Sequence, residues 1–268
     1  MQNVVISVNN LVKRFGNFIA NDHLTFEVYQ GEIFGFLGAN GAGKTTALRI
    51  LSGLSSPTSG EVVVAGFNAA REPEQIKRNI GYMSQKFSLY EDLTIRENIM
   101  LYGGIYGLKK DQIRKRTSEL LRKLRFEGYA DRLIGDLPLG VRQKLAFSVA
   151  LLHEPKIVFL DEPTGGVDPV TRRQFWELIY EASAGGVTLF VTTHYMDEAE
   201  YCDRVCIMNE GKIVALDTPA RLKETYHAHS VEEVFVKIAR PTATHNPLHQ
   251  MAGSSLTSLP GDSHLKRV

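Results

Sequence analysis

Short apolar runs bounded by turn residues open the chain at 4–8, 24–28 and 32–37, and each predicts a strand. Val62–Val64 and Ile80–Met83 continue that texture. From about 86 to 152 Leu, Lys, Arg and Glu dominate, and the apolar positions move to helical spacing. Ile113, Leu120, Leu121 and Leu124 share one face of a helix there. Strand texture returns at Ile157–Leu160, Val187–Thr192, Val205–Met208 and Ile213–Leu216. Between the first two of these, an amphipathic helix is expected from about Val170 to Ala184, closed by Gly185-Gly186. Strands alternating with helices predict an α/β domain whose mostly parallel sheet is covered on both faces. The stretch 86–152 reads as a helical subdomain inserted into it. Beyond about Arg240 the pattern stops, so the domain is expected to span 1–240 and the Pro, Thr, Ser, His and Gly-rich 241–268 to be a disordered tail.

Composition narrows the function classes. The 268 residues are 43% hydrophobic and 23% charged, ordinary for a globular protein that needs no metal or disulfide staple. With 31 basic and 30 acidic side chains the net charge is +1, without the basic excess of a nucleic-acid binder, and no nucleic-acid partner is expected. Cys202 and Cys206 make no disulfide framework and lack the further ligands of a metal site. The opening residues do not read as a signal peptide, and the longest apolar-rich run, Leu145–Leu152, falls far short of the roughly 20 residues of a membrane span. The chain is therefore not expected to cross a bilayer itself.

The chemistry begins at Gly38-Ala39-Asn40-Gly41-Ala42-Gly43-Lys44-Thr45, which matches G-x-x-x-x-G-K-[ST] between an apolar strand and a helical run. Glycines let the backbone bend until successive N–H groups point at phosphate oxygens, and the helix N-terminus adds partial positive charge. Lys44 is placed to neutralise the β- and γ-phosphates of ATP, Thr45 to coordinate Mg²⁺, and Thr46 to add a phosphate hydrogen bond. The second signal is Ile157–Glu162, a buried strand ending in two carboxylates. Ligands collect at the C-terminal ends of parallel strands. That places Asp161 to hold Mg²⁺ through water and Glu162 to act as general base on the attacking water. His194, after a further strand, is placed either to donate to the γ-phosphate or to hold Glu162.

In order and spacing these motifs resemble the nucleotide-binding domains of the ABC superfamily over roughly residues 4–238. Gln85 stands where that family keeps its Q-loop, Leu137–Lys144 where it keeps its signature, and Gly166-Val167-Asp168 where it keeps its D-loop. His194 matches the switch histidine, and Phe15 matches the aromatic that stacks on adenine. Ser84–Tyr90 and Tyr195–Glu200 are similar to subunits paired with ABC-2 type permeases. The resemblance implies a P-loop NTPase core with an N-terminal antiparallel β part. It also implies ATP hydrolysis coupled to a separate membrane permease, on the cytoplasmic face of the membrane, in the export direction. It implies a head-to-tail homodimer or heterodimer in which Gly140 meets the nucleotide across the interface, with Asp168 also among the nucleotide-binding residues and Gln85 joining Thr45 and Asp161 around Mg²⁺. Phe87, Leu89 and Tyr90 would then face the permease, or else pack on the insertion's own helices. The basic run Arg114–Arg125 reads as a solvated face, as does His227-x-His229.

One departure stands out. The family signature is Leu-Ser-Gly-Gly-x-x-Gln, whereas here Pro138 and Leu139 replace Ser and the first Gly. Pro138 offers neither a hydroxyl nor an N–H, so a weaker grip in trans is expected. The alternative function is a soluble ABC-type ATPase acting on nucleic acid, ribosomes or cofactor assembly. A non-hydrolysing regulatory binder is disfavoured by the intact Gln85, Glu162 and His194.

Overall fold

A computed structural model describes residues 3–85 and 89–239. Strands β1 (Val4–Phe15), β2 (Phe18–Tyr29), β4 (Ser59–Val64) and β5 (Phe67–Asn68) form an antiparallel sheet of order β2-β1-β4-β5. A second sheet takes β3 (Ile33–Gly38), β6 (Ile80–Met83), β7 (Ile157–Asp161), β8 (Thr188–Thr193), β9 (Arg204–Asn209) and β10 (Lys212–Asp217), in the order β10-β9-β3-β8-β7-β6. All its pairings are parallel except that of the edge strand β10.

Every residue of β3, β7 and β8 is buried, as a central parallel strand covered on both faces requires. Between the two sheets lies an aromatic cluster. Phe34 and Phe36 of β3 meet Phe26 of β2 with ring centroids 5.6 Å apart, and Phe190 packs within 5.5 Å of Phe34. The other face of the parallel sheet carries α3 (Ile95–Ile105), α5 (Leu139–Ala150), α6 (Pro169–Ala184) and α8 (Val231–Ala239), packed through Ile99, Phe147, Phe175, Trp176 and Val234.

Helices α3, α4 (Lys110–Leu124) and α5 lie between β6 and β7. Thr94 and Glu97 close a capping box on α3, which fixes its start after the loop that leaves β6. On α4 the expected stripe is observed, with Ile113 and Leu121 buried, Leu120 and Leu124 partly buried, and Thr117 completing it. Its basic face is not purely solvated: Arg116 donates to Leu152 O and pairs with Glu154 at 2.9 Å, and Lys123 reaches Glu181 at 2.9 Å.

One sequence expectation is corrected, one helix is added and one open choice is settled. The first two strands are 12 residues each rather than five, because β-bulges interrupt their alternation between Val8 and Leu11. The short helix α2 (Pro73–Asn79) was not anticipated. Leu89 is 4% exposed and part of the core, so it packs on the chain's own helices and does not face a partner. Tyr90 beside it is exposed, while Phe87 and the segment 241–268 lie outside the described residues. No described helix is long and apolar enough to cross a membrane. The last helix before residue 240 is α8, preceded by α7 (Pro219–Thr225).

Candidate functional site

The phosphate-loop sequence leaves the C-terminal end of β3 and runs into α1 (Lys44–Leu51). Gly43 turns the corner with φ 97°, and a Cβ there would lie 2.3 Å from Ala20 O, so both conformation and space demand glycine. The Asn21 side-chain amide holds this turn by donating to Gly43 O at 3.0 Å. The first backbone bond into α1 runs from Ala47 N–H to Gly43 O, so the N–H groups of Lys44, Thr45 and Thr46 have no carbonyl within the helix. They form the donor array expected of an anion cradle. Ala42 departs from that expectation, since its N–H donates to Ala39 O at 3.1 Å in a local turn.

Lys44 is 5% exposed, and its Nζ donates to Gly38 O at 2.7 Å and Ala39 O at 3.2 Å. Burial lowers its pKa, opposed by the carboxylates of Glu162 and Asp161. Glu162 is where the site converges. Its Oε1 lies 3.9 Å from Lys44 Nζ, and its Oε2 accepts from Gln85 Nε2 at 2.8 Å. His194 Nδ1 also lies 3.1 Å from Oε2, though out of line for a hydrogen bond. Three segments far apart in sequence thus meet on one carboxylate.

The backbone at Glu162 is left-handed, φ 49°, and is pinned there by Glu162 N–H, which donates to Thr192 O at 3.0 Å and Thr192 Oγ1 at 3.2 Å. Thr192 Oγ1 also donates to Asp161 Oδ1 at 2.7 Å. Asp161 is 4% exposed. Burial raises its carboxyl pKa above the usual carboxylate range, against the lowering effect of the Thr192 bond.

A cleft of about 430 Å³ opens over the loop, lined by Asn40, Gly41, Gly43–Thr46, Gln85 and Glu162. Its outer wall is Phe18, 64% exposed, paired across the β-hairpin with Phe15. Phe15 is itself 56% exposed and carries Lys13 Nζ 5.1 Å from its ring. Sequence inspection missed Phe18, Asn21 and Thr192. Only the place of Phe18, three residues after Phe15 and across a tight turn, could have signalled its role. Among the described residues Gly140 and Asp168 do not line this cleft. Gly140 packs on Thr171, and a Cβ there would lie 2.2 Å from Thr171 Cγ2. Asp168 caps α6, accepting from Val170 N–H and Thr171 N–H at 3.0 Å each.

The donor set of Thr45, Gln85 and Asp161 is all oxygen, which suits a hard cation such as Mg²⁺. Among the described residues no group of three or more His, Cys, Asp or Glu is arranged to hold a metal by itself.

Residues 21–165 match the family model described as ABC transporter. The "Probable multidrug ABC transporter ATP-binding protein YbhF" of Escherichia coli strain K12 is 47% identical over 219 residues, covering 82% of this chain and 38% of that protein. The chain thus spans well under half the length of that relative. The "Nod factor export ATP-binding protein I" of Cupriavidus metallidurans is 36% identical over 232 residues, covering 86% of this chain and 77% of that one. Among solved structures, a dimeric post-hydrolysis ATP-binding cassette bound to ADP and Pi superposes with a TM-score of 0.71 at 27% identity, covering 80% of this chain and 98% of that one. With more than half of its residues inside the family model, the chain belongs to the ABC transporter family, as an ATP-binding domain.

Proposed function

We propose that this chain hydrolyses ATP to ADP and phosphate at the β3–β7 cleft and that the cycle drives a separate membrane permease. One observation carries the reading: Lys44, Gln85 and His194, from three distant segments, all lie within 4 Å of the Glu162 carboxylate. A phosphate cradle alone binds nucleotide. A carboxylate held beside it by an amide, with an imidazole within reach, also activates water.

The roles follow from placement. The N–H groups of Gly41, Gly43 and the first turn of α1, with Lys44, bind the phosphates. Phe15 and Phe18 offer exposed rings to the base. Thr45, Gln85 and Asp161 would hold Mg²⁺, which would supply charge neutralisation to the phosphates. Glu162 accepts the proton of the attacking water, and His194 orients Glu162 or donates to the γ-phosphate.

Gly140 and Asp168 lie outside their own chain's cleft. Their use in catalysis therefore calls for a second cassette packed head to tail, either a copy of this chain or a relative. The superposed cassette bound to ADP and Pi is itself dimeric, which supports that arrangement. One relative's name, a Nod factor export ATP-binding protein, supports outward transport; the chain would then sit peripherally on the cytoplasmic face, bound to the permease.

Replacing the base tests the reading. Glu162→Gln is expected to lower phosphate release by about 100-fold or more while ATP still binds in calorimetry. Unchanged turnover in that variant overturns it.

A further inference from the structure

One residue beyond His194 a second cluster of charge begins. The Tyr195 ring lies 4.2 Å from the His194 ring, centroid to centroid, with the planes 35° apart. The guanidinium of Arg172, in the first turn of α6, lies 4.2 Å from the same Tyr195 ring. Arg172 is anchored from the far side. Its Nη1 donates to Asp197 Oδ2 at 3.3 Å, and its Nε lies 3.6 Å from Glu198 Oε1.

Glu198 is fully buried, and its Oε1 accepts from Thr164 Oγ1 while its Oε2 has no hydrogen-bond partner. Thr164 sits two residues beyond Glu162, in the turn closed by Gly165 N–H on Glu162 O. The cluster therefore touches the site at both ends, through Thr164 behind Glu162 and through Tyr195 beside His194.

Charge compensation alone does not account for this geometry. A buried carboxylate needs a cation, and a lysine would serve. Only a planar guanidinium can lie over an aromatic ring while its edge donates to one carboxylate, Asp197, and stands in ion-pair range of a second, Glu198. His194 is loosely held: its side chain is 33% exposed and its Nδ1 has no aligned hydrogen bond. The Tyr195 ring is the surface that limits its rotation.

We propose that Arg172 is a positioning residue for His194. Held by Glu198 and Asp197, it fixes the Tyr195 ring, and the ring holds the imidazole at its distance from Glu162. The proposal rests on the reading of His194 as part of an ATP-hydrolysing site.

The test is steady-state phosphate release by the full chain, with ATP affinity from calorimetry and a melting curve for each variant. Arg172→Lys keeps the charge and loses the plane. It is expected to lower kcat about tenfold with KM and ATP affinity within about twofold, the pattern of a group felt only in the transition state. Tyr195→Leu should fall with it, and Tyr195→Phe, which keeps the ring, should stay within about threefold of the parent. The tyrosine pair leaves the buried Glu198 charge compensated, so it carries the test if Arg172→Lys does not fold. In a His194→Ala background, Arg172→Lys should cost less than about twofold more, because the two residues act as one unit.

A full further tenfold loss in that background overturns the proposal. Parent-like turnover of Arg172→Lys beside a slow His194→Ala overturns the positioning role and leaves the site reading standing. Parent-like turnover of His194→Ala overturns both.

Discussion

The cleft above β3 and the first turn of α5 are both built around helix N-termini, yet one chain equips them very differently. At the cleft, α1 begins with Lys44 nearly buried, and the acids, Gln85 and His194 close round it within a single chain. At α5 the N-cap is Pro138, with no side-chain bond to the helix, and the first turn carries no acidic side chain. Arg142 there is tied to Glu91 at 2.7 Å, and Gln143 donates to Gly165 O at 3.1 Å. The first helix end is a cleft closed by groups of its own chain. The second is a backbone surface braced from behind, able to act only on something brought to it. Binding should therefore belong to the cleft, and turnover to both ends together.

That division can be broken experimentally. The largest effect is expected at the cleft itself. Lys44→Ala removes the buried ammonium, worth about 1.5–3 kcal/mol as a charged hydrogen bond, and should weaken ATP binding by about 10–100-fold in calorimetry of the isolated chain. Full affinity retained in that variant would end the idea of a self-contained site. A smaller effect, of opposite sign, is expected at α5. Pro138→Ser restores a hydroxyl and an N–H, and should raise turnover about tenfold at concentrations where cassettes pair, with ATP affinity of the dilute chain unchanged. The same serine can cap α5 and add about 1 kcal/mol of stability in a denaturant titration. If Pro138→Ser instead altered ATP affinity in dilute protein, the two regions would not be separable.

The smallest effect tests what the cleft costs the fold. Burial holds the Asp161 pKa above its unfolded value. The folded state thus binds that proton more tightly, and stability declines as pH rises from the unfolded pKa through the folded one. Above the folded pKa the ionised Asp161 opposes folding. Asp161→Asn keeps an acceptor for Thr192 and should raise the melting temperature at pH 7 by about 2–4 °C, with little change near pH 3. An equal gain at both pH values would refute the electrostatic origin.

Sequence pattern was a good guide wherever periodicity and local chemistry agreed. The β3–Gly38–Lys44 turn, the acid pair after β7 and the stripe on α4 each announce themselves within a dozen residues. What stayed hidden depends on distance in sequence. Thr192 looks like any β-branched strand residue, and only the parallel pairing of β7 with β8 sets it opposite Asp161. Leu89 could be read either way because the contacts that bury it are tertiary and not local. Glu198 reads as one of several acids on a polar turn, and nothing nearby tells that it is enclosed. The hairpin of β1 and β2 was underestimated because Asn10, with φ 50°, breaks the alternation inside a strand that nevertheless continues.

The left-handed backbone of Glu162 has a consequence for how such a chain can drift. A residue with a Cβ gives up about 1 kcal/mol in that conformation relative to glycine. On grounds of folding alone, mutation at this position is drawn toward a side chain that can accept no proton. Disabled copies of the chain should therefore be no less sturdy than the working one, and the glutamate persists only as long as selection asks for turnover.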